Sequence, residues 1–263
     1  MRKVVQYTSV FSLGLIVGIA LPYTAWSYPA FQRLPYVSDA APYCAGCHSS
    51  RDASYHPELP ADAAQAQVYT TKHYKALEEG TGAFRTLEPE QRKQLLEQAK
   101  KIDQNASVKL DAPATVAPGG TITVTVTAKG GIGPVTGVLL VDEPLRYQAR
   151  PVQGTGWFIA GPPEIIGPDG KPQATWLDRR YNKQQTNLNF ALIYGVTADS
   201  TSRVSYLLRA PQTPGEYPIT AAFIYGTGEA NEMKTEKYVE PPGGGTAPSG
   251  RLLFSNVVRV RVQ

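Results

Sequence analysis

Thr121-Ile122-Thr123-Val124-Thr125-Val126-Thr127 alternates polar and apolar residues without a break. A period of two puts the isoleucine and valines on one face and the threonines on the other, the pattern of a β-strand buried on one side. Working outward, further strands are expected at 137–142, 156–160, 188–194, 203–209, 217–225 and 257–262. Turn-forming residues separate them: Gly130-Gly131, Pro168-Asp169-Gly170, Pro214-Gly215 and Gly243-Gly244-Gly245. About seven to nine short strands with such punctuation predict an antiparallel β-sandwich over residues 119–263. Residues 105–118 carry Pro113 and Pro118, show no periodicity, and read as a linker.

On the N-terminal side of that linker the period changes. A helix is expected over 62–79, with Gly80 as the residue that ends it, and a second over 89–103, with Pro89 in its first turn. Leu95, Leu96, Ala99 and Ile102 form the apolar face of the second helix. Upstream lies Cys44-Ala45-Gly46-Cys47-His48, the Cys-x-x-Cys-His arrangement by which c-type haem is attached. One helical turn puts both thiols on one side, where they form thioethers with the two vinyl groups. The histidine that follows supplies the proximal nitrogen to iron. A thioredoxin-like pair would need a βαβ pattern around it, which is missing. A Cys-only zinc site would need four ligands, and the chain has two cysteines. A plain disulfide would have no use for His48.

The first residues support the same reading. Arg2 and Lys3 precede an apolar run at 10–21 that Pro22 ends, and Ala25-Trp26-Ser27 offers small residues for a signal peptidase. Residues 1–27 are expected to be a signal peptide or an uncleaved N-terminal membrane anchor, with 28–42 as a tether. The rest of the chain would then be periplasmic or otherwise extracytoplasmic, where haem c is attached. The formal charge is +4, two units of it from Arg2 and Lys3, and no basic cluster calls for nucleic acid.

Residues 43–104 resemble the small c-type cytochrome domains, through Cys44, Cys47 and His48 and through the helix with the Leu95, Leu96, Ala99 and Ile102 face. The resemblance implies one covalently attached haem c and single-electron transfer. Many such domains use a downstream methionine as the second axial ligand. Here the methionines are Met1, in the leader, and Met233, far along the β-rich region. The chain has three histidines, so a distal histidine would be His73 or His56. His73 is preferred: it lies in the expected helix, with Ala66, Tyr69, Ala76, Leu77 and Gly80 at helical offsets. His56 follows His48 closely and precedes Pro57. Two imidazoles would give six-coordinate iron with no place for substrate, and so outer-sphere electron transfer.

The segment Ala210-Pro211-Gln212-Thr213-Pro214-Gly215-Glu216-Tyr217 resembles the approach to a late strand in immunoglobulin-like and fibronectin-like sandwiches, with Tyr217 as the corner tyrosine. This implies a fold and no activity. No catalytic constellation is evident in the β-rich region, which lacks histidine, cysteine and Gly-x-Ser-x-Gly. Trp157, Trp176, Tyr147 and Tyr181 form a docking surface, cover the haem domain or fill the sandwich, and Arg146, Arg150, Arg179 and Arg180 could meet a partner's acids.

The expectation is thus an α+β multidomain chain, a small mainly α-helical cytochrome c segment followed by an antiparallel β-sandwich. It would be an electron carrier rather than an enzyme, relaying electrons between redox proteins or a membrane electron-transfer complex. It would sit at the inner membrane if the leader is uncleaved. Two other functions stay open. One is a haem-based gas sensor or small redox enzyme, if neither His73 nor His56 binds the iron. The other is a structural subunit of a surface or membrane redox assembly.

Overall fold

The computed structural model describes residues 53, 60–66, 68, 70–144, 150–173, 188–226 and 251–263. Cys44, Cys47, His48, His56 and Met233 lie outside the described residues, as do the expected leader and tether.

Among the described residues, two sheets of six strands each form a β-sandwich. The first contains β1 (Ser107–Asp111), β3 (Thr121–Lys129), β9 (Thr201–Arg209), β6 (Glu164–Ile166) and β7 (Pro172–Gln173) in that order, with β5 (Phe158–Ile159) also on β9. The second runs β2 (Thr115–Val116), β12 (Val258–Val262), β10 (Gly215–Gly226), β4 (Ile132–Val141), β8 (Ala191–Ile193), with β11 (Arg251–Phe254) also on β10. All these pairings are antiparallel except β2 with β12, which is parallel. The alternation at 121–127 determines the register of the first sheet. Thr121 pairs with Arg209 and Lys129 with Thr201, so Ile122, Val124 and Val126 share the inner face with Val204, Tyr206 and Leu208. Opposite them lie Val138, Leu140, Ile219, Ala221 and Phe223. Strand β10 is buried on both faces, because every residue from Ile219 to Tyr225 is buried. Gly131, at φ 77°, belongs to the turn between β3 and β4, where a Cβ would come within 2.7 Å of the Tyr225 side chain.

Helices precede the sandwich: α1 (Ala61–Gln65), a π-helical turn (Thr70–Tyr74), α2 (Lys75–Glu79), a 3₁₀ turn (Gly82–Phe84) and α3 (Pro89–Asn105). Gly80 ends α2 in the left-handed conformation, and Pro89 opens α3, as expected. At the start of α3 the Glu88 N–H donates to Gln91 Oε1 at 2.9 Å.

Two expectations change. The helix expected over 62–79 is interrupted: α1 ends at Gln65, Val68 N–H donates to Gln65 O, and helix resumes at Thr70. Val68, Thr70 and Thr71 are β-branched and weaken helix at this place, and Val68 is buried by the turn. The segment 105–118 is not a strand-free linker. It contributes β1 and β2, one to each sheet, and a single residue, Ala106, separates α3 from β1.

Candidate functional site

The π-helical turn carries His73, a candidate iron ligand and the one histidine among the described residues. A π-turn holds one more residue per hydrogen-bonded ring than an α-turn, a rare arrangement that is frequent at functional sites. His73 is half-buried. Its successor Tyr74 and Leu77 turn toward α3, into a cluster with Leu87, Leu95, Leu96 and Ala99. The apolar stripe expected beside His73 is therefore divided. Leu77 is buried against α3, Ala76 and Gly80 are half-buried, Ala66 is exposed, and Tyr69 lies outside the described residues. The expected apolar face of α3 is buried throughout, and it is shared. Leu95, Leu96 and Ala99 pack toward α2, while Ile102 joins the sandwich core.

Beside this face sits an ionic group that periodicity alone did not single out. Asp103 has no solvent exposure. Its Oδ2 accepts from the Tyr74 hydroxyl at 2.8 Å and from Arg251 Nε at 3.1 Å, and its Oδ1 accepts from the Tyr225 hydroxyl at 2.8 Å. Arg251 is itself 2% exposed. A buried carboxylate needs this many donors, because water no longer solvates it. The sequence did hold a sign: Asp103 lies four residues after Ala99, on the apolar stripe, where an unpaired carboxylate would be costly.

The remaining candidate residues have ordinary settings. Trp157 is 2% exposed and meets Tyr217 edge-on at 6.3 Å, so it fills the core rather than a docking surface. Tyr147, Trp176, Tyr181, Arg146, Arg179 and Arg180 lie outside the described residues. Arg150 pairs with the buried carboxylate of Asp142 at 2.8 Å. The Tyr217 hydroxyl donates to Thr213 O at 2.9 Å. An open groove lies over Gly156, Pro211 and Tyr217. Two of its ionisable side chains are Arg150, already paired, and Glu216, 3.7 Å from Arg259. Burial pushes the Tyr206 phenol far above its ordinary value, against a smaller opposing effect of a backbone hydrogen bond.

Among the described residues no three His, Cys, Asp or Glu side chains gather as a metal site, and no helix is long and apolar enough to cross a membrane. The chain matches no protein-family model, and no curated protein is significantly similar to it.

Proposed function

We propose that the protein is a monohaem c-type cytochrome of the periplasm or the outer side of the inner membrane, carrying single electrons between redox partners. The observation that carries this reading is Cys44-Ala45-Gly46-Cys47-His48 behind an export leader. Cys44 and Cys47 hold the group covalently, His48 is the proximal ligand and His73 the distal one, with His56 as the other candidate. The bound haem supplies reversible one-electron chemistry. The chain's own part is to fix the imidazoles, limit water and set the surrounding charge. The setting of His73 fits a ligand role. It is a half-buried imidazole on a turn whose next residue is anchored in a packed cluster.

The β-sandwich is the docking or scaffold module. Its order, β1-β3-β9-β6 against β2-β12-β10-β4-β8, together with the Tyr217 corner, supports an immunoglobulin-like architecture. The test is to mature the full chain in a host that attaches haem c, then unfold it in acid and denaturant. Haem absorbance that stays with the wild-type polypeptide, and is lost in the double variant C44S/C47S, is the expected result. A matured, exported chain that carries no haem would overturn the reading.

A further inference from the structure

We infer that Asp103 is a positioning residue for the turn that carries His73. Held from the sandwich side by Arg251 and Tyr225, it clamps Tyr74 and thereby fixes the π-helical turn. The consequence for iron rests on the reading of His73 as the distal ligand, but the clamp itself does not.

The geometry is specific. Among the described residues, three donors meet one buried carboxylate, and they come from three places in the chain. Tyr225 lies on β10, Arg251 on β11, and Tyr74 closes the turn at Thr70–Tyr74. Asp103 is on α3, so the carboxylate sits where helix, sheet and turn meet. A π-helical turn is rare beside the α-helix it leads into, and a contact from outside the helix can hold it in place. Relaxing to α geometry would change the register by one residue and swing a side chain by roughly 100° about the axis. Tyr74 supplies the tie, since its ring is packed with Leu77, Leu95, Leu96 and Ala99 while its hydroxyl ends on Asp103. His73 is the adjacent residue, so its direction follows from that of Tyr74. The sandwich thus acts on the imidazole from a distance, as outer partners orient the ligands of a metal site.

The test compares Tyr74→Phe with Tyr225→Phe in the full matured chain. Each removes one hydroxyl from Asp103, but only Tyr74 belongs to the turn, and both variants keep the ring and should fold. Two quantities are read: amide hydrogen exchange over 70–77, and the low-spin EPR signal together with carbon monoxide binding to the reduced protein. Tyr74→Phe is expected to speed exchange over 70–77 about tenfold or more, alter the low-spin signal and admit carbon monoxide. Tyr225→Phe is expected to lower Tm while leaving the signal and the local exchange near wild type. Unchanged exchange over 70–77 in Tyr74→Phe would overturn the clamp, as would equal acceleration along the whole chain in both variants. Faster local exchange with a wild-type signal has two readings, separated by His73→Ala. If His73→Ala also leaves the signal unchanged, the clamp stands and the iron-ligand reading fails. If His73→Ala abolishes it, the positioning role is overturned.

Discussion

Asn256 accepts the Leu110 N–H through Oδ1 at 3.0 Å and donates Nδ2 to the Leu110 carbonyl at 2.9 Å. Asn189 does the same for Leu140, and Gln173 for Tyr194. In each case one side-chain amide meets both backbone groups of one residue, Leu110 and Leu140 within strands and Tyr194 just past the end of β8. Asn256→Ala leaves the Leu110 pair without these partners. It is expected to destabilise by about 1–3 kcal/mol, measured as a lower urea midpoint with an unchanged slope. Tyr206 serves the core in a related way, its hydroxyl lying 2.9 Å from Asn189 O and 3.1 Å from Val138 O. Its raised folded-state pKa fixes the sign of a pH effect. Below the unfolded phenol's pKa, about 10, both states keep the proton and this group adds no slope. Above it only the unfolded state loses the proton, so stability falls, by up to about 1.4 kcal/mol per pH unit from this one group. Tyr206→Phe should remove that part of the alkaline slope in chemical unfolding between pH 9 and 11. These amide and hydroxyl partners were not legible in the sequence, because they join residues far apart in the chain and leave no local period.

At the scale of elements, long periodic segments were legible and several short ones were not. β3 and α3 appear where their periods of 2 and 3.6 placed them. β2 and β7 have two residues each, too few to show a period, whereas β5 lies within the strand expected at 156–160. All four residues of β11 are buried, so no alternation marks it. The break before His73 was hidden for another reason: Ala61–Gln65 and Lys75–Glu79 are both good helix formers, and only β-branched residues between them signal the interruption. Gly80, at φ 66°, ends α2, and a Cβ there would run into the Arg92 guanidinium. Gly80→Ala is expected to cost about 1 kcal/mol or more, whereas Leu95→Ala should cost about 2–5 kcal/mol through the cavity it leaves. Thermal unfolding monitored by circular dichroism checks both and their order.

At the scale of the whole molecule, helices and sandwich share residues across the expected boundary. Ile102 and Ala106 belong to the sandwich core, and Asp103 ties α3 to β10 and β11. A fragment of residues 119–263 removes β1, β2 and Asp103, leaves Arg251 without its buried carboxylate, and is expected not to unfold cooperatively. A fragment of residues 89–263 keeps all three and should be more stable, as comparison of their denaturant transitions would show. The architecture was visible because turn residues and strand periods are local. The junction was not, because the partners that tie it, such as Asp103 and Arg251, lie as much as 148 residues apart. The same limit applies to the proposed iron site, where inventory leaves His73 and His56 as the candidates for a distal histidine but contact must choose between them. The most direct test of the account is the EPR and optical spectrum of the matured protein beside that of His73→Ala. The account predicts a low-spin bis-imidazole signal in the wild type that is lost in the variant. A high-spin wild-type spectrum, unchanged in the variant and shifted by carbon monoxide, would contradict it.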